Sequence, residues 1–132
     1  MNIYFKVFFD TFLSYISLGL HKEILYFISL KFTNQIFCFS IFSFLGFILA
    51  ISINYIIGLL IKKIAKKQEQ NSFINFLYKY SSLIIISSAL NPFASQFFSI
   101  IYGFLNKKFH KFIFFSFIGR TLFILINLYL LN

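Results

Sequence analysis

The chain is nearly devoid of acids. Three Asp and Glu residues stand against 12 Lys and Arg in 132 residues, a formal charge of +9. Charged residues make up 11% of the chain, against about 25% in an ordinary soluble domain. The acids Asp10, Glu23 and Glu69 are scattered, which leaves no carboxylate pair for acid–base chemistry. His21 and His110 have no second ligand at metal spacing, so no metal or other cofactor is expected. GxSxG, HExxH, GxGxxG, P-loop and CxxC motifs are all missing, and the chain does not read as an enzyme. The single cysteine, Cys38, excludes an intramolecular disulfide. One proline and five glycines leave few built-in breaks, so each break that exists carries weight.

What is abundant is apolar surface. Hydrophobic residues reach 60%, with 23 Phe, and the mean hydropathy is +0.87. A chain of this length cannot hide that much apolar surface in one core, so it reads as integral to a membrane. Phe, Ile, Lys, Asn and Tyr share AT-rich codons, so single aromatics are given little functional weight. The basic excess lies beside apolar runs, which points to membrane topology rather than to nucleic acid. The first apolar run contains Asp10 and no small-residue cleavage site, unlike a removed signal peptide.

The apolar segments fall into an order that occurs twice. Ile3–Leu20 breaks at Gly19-Leu20-His21-Lys22-Glu23 and continues as a short arm, Ile24–Phe32. That arm, about nine residues, is too short to cross a core of about 30 Å at 1.5 Å per residue. A polar corner, Thr33-Asn34-Gln35, precedes a full span over Ile36–Ile61. After the polar segment 62–72, Phe73–Leu90 breaks at Asn91-Pro92, and Phe93–Leu105 forms the second short arm. Proline removes a backbone donor and disfavours helix at the residue before it. The basic corner Asn106–Lys111 leads to the last span, Phe112–Leu131. The two spans are themselves similar: FSIFSFLGFILAISIN at 39–54 and FIFFSFIGRTLFILIN at 112–127 share nine of 16 residues at an offset of 73. Composition alone would give roughly two or three matches, so a duplicated unit is inferred.

The fold expected is therefore an all-α integral membrane protein with two re-entrant helical hairpins, about 3–33 and 73–105, and two transmembrane helices, about 36–61 and 108–131. It is one membrane domain over residues 1–132: a first repeat at about 3–61, a basic cytoplasmic linker at 62–72 and a second repeat at about 73–131. Gly19 and Pro92 mark the hairpin tips, which should face each other or a polar cavity, because lipid cannot satisfy freed N–H and C=O groups. Lys62, Lys63, Lys66, Lys67, Lys79, Lys107, Lys108 and Lys111 all fall on one side if the second hairpin opens there, with only Lys6 and Lys31 near the other. The repeats are then inverted with respect to each other. Making every segment a full span would instead put Asn91-Pro92 and Gln96 in lipid.

Glu23 and Arg120 are the leading site candidates, since a charge in the bilayer is costly unless paired or hydrated. Arg120 replaces the Phe47 of the first copy, and its planar fork suits a phosphate. Two roles stay open: a site for a lipid phosphate, or a structural Glu23–Arg120 ion pair. Asn54 and Gln96 are candidates for lining a polar path and, on equal terms, for interhelical hydrogen bonds; Asn127, Ser43 and Ser116 are assigned to such bonds. Gly46, Gly58, Gly103 and Gly119 are expected at close helix contacts. Lys62, Lys63, Lys66 and Lys67 mark topology or hold anionic head groups. His110 reads as interfacial, and His21 as a proton-handling candidate beside Glu23.

The glycine-then-acid break, the run SFLGFILAISINYIIG (43–58) and the stretch Lys79-Tyr80 through Pro92, Gly103 and Gly119-Arg120 resemble the DedA family, the SNARE-associated or VTT type of membrane protein. The compact length is similar to its short YqaA-like branch, and the resemblance covers roughly residues 10–130. It implies a multi-pass protein of the bacterial inner (plasma) membrane that moves undecaprenyl phosphate or phospholipid. Its partners would be membrane lipids with anionic head groups, with no nucleic acid, and a homo-oligomer is compatible. It implies that Glu23 is the membrane-embedded acid, Arg120 the basic residue of the last helix and Pro92 the second tip. The chain departs from the family pattern at Gln96, where an acid is expected, and at the first tip, which lacks its prolines. With one carboxylate left in the relay, weak or absent proton coupling and facilitated exchange are expected. The competing expectation is a non-transporting structural or assembly protein, or a holin-like pore former.

Overall fold

The structure is a computed structural model that describes residues 2–17, 23–29, 31, 35–65 and 72–131. These residues form five helices of 13 residues or more and one short helix, with no strand among them. The helices are α1 (Ile3–Ile16), α2 (Ile24–Ser29), α3 (Ile36–Ala65), α4 (Ser72–Ser88), α5 (Pro92–Phe104) and α6 (Phe109–Leu131). The all-α class expected from the apolar runs is what is observed. Gly19, His21, Lys66, Lys67 and Glu69 lie outside the described residues.

Local chemistry accounts for several helix ends. Asn2 caps α1 through its side chain, which accepts from the Tyr4 N–H at 3.4 Å. Asn91 does the same for α5, accepting from Phe93 N–H at 3.0 Å, and Pro92 takes the first helical position, where its missing N–H costs nothing. The break expected at Asn91-Pro92 is therefore a helix–turn–helix corner. One boundary differs from expectation. α3 does not stop at Ile61 but runs through Lys62 and Lys63 to Ala65. Lysine is a good helix former, and its charge is favourable at a helix C-terminus. α6, Phe109–Leu131, matches the last transmembrane helix expected over about 108–131 and takes up part of the basic corner.

The helix directions follow from which residues meet. α1 runs parallel to α3: Tyr4 packs on Phe39 and Phe42 at one end, and Tyr15 packs on Phe47 at the other, with ring centroids 4.8–5.5 Å apart. α4 runs parallel to α6: Ser81 and Ser82 share a cavity wall with Lys111, Phe114 and Phe115, and Ile86 and Ala89 further along lie on Gly119. α3 and α6 are antiparallel. Tyr55, late in α3, lies 5.1 Å from Phe109 and 5.3 Å from Phe112 at the start of α6. Phe39, early in α3, joins a cluster with Phe123, Ile124 and Leu128, late in α6. Where the two cross, Phe44 meets Phe117 edge-on at 4.8 Å, and Phe47 lies 5.4 Å from the Arg120 guanidinium carbon. Both pairs are equivalent positions of the repeat at the 73-residue offset.

Glycine sets the closest approaches. Gly46 in α3 lies against the α1 backbone at Phe8 and Phe12, and its repeat partner Gly119 in α6 lies against α4 at Ile86 and Ala89. The duplicated glycine thus seats each long helix on the first helix of its own half. α3 also touches α5 backbone to backbone: a Cβ on Gly58 would fall on the Ile100 carbonyl, and one on Gly103 on the Tyr55 carbonyl.

α3 and α6 are long and apolar enough to cross a membrane, with mean hydropathies of 2.5 and 1.8 over their best windows, of which only 33% and 17% is buried within the protein. Their outer faces carry exposed Phe37, Leu45, Leu49, Ile64, Phe114 and Leu130. A soluble core helix would bury such residues, so the exposed faces are evidence for membrane association.

Candidate functional site: a caged arginine between two helix tips

Arg120 is fully buried midway along α6, and Glu23, just before α2, is 4% exposed. They form a two-pronged ion pair. Arg120 Nη1 donates to Glu23 Oε2 at 3.1 Å, and Nη2 donates to Oε1. This fork-to-carboxylate match is the geometry in which arginine also binds phosphate. Hydroxyls complete the cluster. Nη1 also donates to the Tyr15 hydroxyl at 2.9 Å, and Nη2 to Ser43 Oγ. Glu23 Oε1 accepts from Thr11 Oγ1 at 2.6 Å and from Ser43 Oγ at 3.1 Å. Arg120 Nε is buried and has no hydrogen-bond partner among the described residues.

Four aromatic rings enclose the guanidinium. Its carbon is 4.7 Å from the Phe123 centroid, 5.2 Å from Tyr26, and 5.4 Å from both Tyr15 and Phe47. Each ring offers its negative π face or lies within range of it, which is worth about 0.5–2 kcal/mol per contact depending on desolvation. The cage draws on α1, α2, α3 and α6, and the substitution of Phe47 by Arg120 between the repeats puts cation against ring at the crossing point.

Asn54 and Gln96 are buried, and their amides bond to backbone carbonyls of α1. Asn54 Nδ2 donates to the Tyr15 carbonyl at 2.9 Å, and Gln96 Nε2 to the Ile16 carbonyl at 2.9 Å. Those are the last carbonyls of α1, which have no intrahelical partner. α3 and α5 thus cap α1 from outside. The second tip is closed reciprocally: the Tyr15 hydroxyl donates to the Ala89 carbonyl at 3.3 Å, in the turn before Pro92. The end of the first arm therefore meets the tip of the second, and each supplies what the other's backbone lacks. Gly19, the expected first tip, is outside the described residues.

Sequence reasoning found the two charges but not the hydroxyls around them. Thr11 and Tyr15 were not singled out, and Ser43 was read as an interhelical bond. The missed signal is periodic: Val7, Asp10, Thr11, Ser14 and Tyr15 form one buried stripe along α1. Asp10 on this stripe is 6% exposed. Among the described residues no three of His, Cys, Asp or Glu come together in a group able to hold a metal.

Comparison with known proteins gave no likeness: no family model, curated protein or solved structure matches this chain.

Proposed function

We propose that this chain is a bacterial inner-membrane protein of two inverted halves, each a re-entrant hairpin and a span, and that it binds and moves phosphate-bearing lipids at Arg120. The antiparallel crossing of α3 and α6 supports the inverted arrangement. Equivalent residues meet at the crossing, Phe44 with Phe117 and Phe47 with Arg120, while opposite ends pair at either side. That is the contact pattern of a two-fold axis normal to both helices, which lies in the bilayer plane if the helices cross it. The end of α1 and the turn before Pro92 bond to side chains of other helices, as irregular backbone at membrane depth requires.

The functional reading rests on one observation: the Arg120 fork holds a carboxylate that also accepts from two hydroxyls, those of Thr11 and Ser43. Glu23 stands in as an internal anion. A lipid phosphate would take its place on Arg120, with Thr11 and Ser43 supplying further bonds. Undecaprenyl phosphate and phospholipids both carry the required group, in line with the DedA resemblance.

A structural reading is favoured by a different fact. Both Nη groups already have protein partners, as a clamp between the two halves would require. Reconstitution into vesicles with a fluorescent phospholipid separates the two. The variant to use is Glu23→Gln/Arg120→Met, which removes both charges and leaves neither unpaired. Lipid movement in the wild type that is lost in this folded variant is the expected result. Equal movement in the two, or none in the wild type, would leave the clamp reading standing and end the transport proposal.

A further inference from the structure

The basic corner between α5 and α6 borders a cavity of about 720 Å³ that shares no lining residue with the Arg120 cage. Its walls include Lys107, Lys108, His110 and Lys111 at one end and Phe114 and Phe115 at the other. From Lys111 to Phe115 the helix rises about 6 Å, so the cavity changes from cationic to apolar within the length of a lipid head group. Volumes of this size suit a small amphiphile.

The cationic end is held in place rather than left to wander. Asn106 adopts a left-handed conformation, φ 54°, which turns the chain sharply from α5 into the corner. The Lys107 carbonyl accepts from the Tyr55 hydroxyl, and the Leu105 carbonyl from the Tyr78 hydroxyl at 2.7 Å. Lys107 Nζ lies 3.9 Å above the Tyr78 ring. Partial burial, and then the neighbouring Lys111, push its pKa below the ordinary lysine value. Crowding of like charges is the source of that second push, and an anion bound between them would relieve it. Glu23 is engaged with Arg120, Asp10 is buried on α1, and Glu69 lies outside the described residues. The apolar end opens beside Phe114, which is 60% exposed on the outer face of α6.

We infer that this cavity is a binding site for the phosphate head group of an anionic lipid, with Lys107, Lys108 and Lys111 on the phosphate and the first carbons of the tails along Phe114 and Phe115. It does not depend on transport: the site would hold its lipid in a protein that moves none. Lys62 and Lys63, at the end of α3, do not line it.

The full chain in neutral detergent, titrated calorimetrically with dioctanoyl phosphatidic acid, tests the assignment. Saturable binding of one lipid per chain is expected, weakened at least tenfold in Lys107→Gln/Lys111→Gln and within twofold of wild type in Lys62→Gln/Lys63→Gln. Both variants lose two charges at surface positions, and thermal unfolding of each checks that folding is intact. Equal weakening in the two would show diffuse attraction to net charge and overturn the site. Inorganic phosphate binding as tightly as the lipid would overturn the apolar half of the assignment, as would dioctanoyl phosphatidylcholine doing so for the preference for an anionic head. Absence of saturable binding would overturn the whole.

Discussion

At the scale of single residues, Arg120 is the most constrained group in the protein. Its charge is buried, forked onto Glu23, and ringed by Tyr15, Tyr26, Phe47 and Phe123. Removing one partner of such a pair leaves an uncompensated charge out of water, which costs about 3–5 kcal/mol, whereas removing both together costs far less. Arg120→Ala should therefore destabilise the protein by about 3–5 kcal/mol, and Glu23→Gln/Arg120→Met by clearly less than that. Denaturant titration in detergent micelles reads both, and a double variant as unstable as the single one would contradict the ion-pair account. Gln96 supports a second residue-scale prediction. Its amide donates to the Ile16 carbonyl. In Gln96→Glu only the protonated carboxyl can keep that bond, since a carboxylate has no hydrogen to give. Burial raises the folded-state pKa of such a group above its unfolded value. Its stabilising contribution is thus present at low pH and lost as pH rises through the folded value. Thermal midpoints of the variant should fall relative to wild type between acidic and neutral pH; a constant difference would place Gln96 in another role. The two charges were legible because any charge stands out in so apolar a chain. Thr11, Tyr15 and Ser43 were not, because one hydroxyl in an apolar helix looks the same whether it meets a carbonyl or a carboxylate.

At the scale of elements, the breaks are held by side chains from other helices. α1 ends at Ile16, and the carbonyls of Tyr15 and Ile16 accept from Asn54 of α3 and Gln96 of α5. The corner between α4 and α5 takes the Tyr15 hydroxyl. α1 therefore cannot end where it does unless α3 and α5 are docked, and α3–α5 docking depends on two glycines. Gly58 and Gly103 face each other closely enough that either Cβ would meet the opposite backbone carbonyl. A carbonyl in a helix cannot swing aside as a side-chain tip can, so the helices must separate. Gly58→Ala and Gly103→Ala should each cost roughly 1–3 kcal/mol from overpacking alone, seen as a lower thermal midpoint in size-exclusion profiles. The double variant should cost less than the sum of the two single ones, because one separation relieves both clashes. Full additivity would mean that the two glycines do not share a contact. Helix existence was legible from unbroken apolar runs, and the glycines from their place among bulky neighbours. Helix ends were less so: hydropathy stops at Ile61, but lysines continue the helix to Ala65 because helix formation asks only for backbone partners and suitable side chains.

At the scale of the whole molecule, the sequence repeat and the spatial arrangement constrain each other. Nine identities between two spans suggested duplication but could not say whether the copies run the same way. Direction comes from packing. Tyr55 sits on Phe109 and Phe112, and Phe39 sits near Phe123 and Leu128, so α3 and α6 are antiparallel. With α1 parallel to α3 and α4 parallel to α6, each hairpin opens on the side where its own long helix begins. The end of α3, the beginning of α4 and the corner before α6 then share one side, and the start of α3 lies on the other. Lys62, Lys63, Lys107, Lys108 and Lys111 gather on that first side, which the positive-inside tendency would make the cytoplasmic side of the proposed membrane protein. The lone cysteine provides a natural probe. Cys38 is exposed in the first turn of α3, on the side opposite Ile64 and Lys108. A membrane-impermeant maleimide applied to intact cells should reach Cys38. Single cysteines at 64 or 108 in a Cys38→Ser background should be protected until the membrane is opened. Labelling of 64 and 108 from opposite sides would make the second hairpin a full crossing and the repeats parallel; Arg120 would then no longer meet Phe47 across an in-plane axis, and the lipid-carrying proposal would lose its geometric basis.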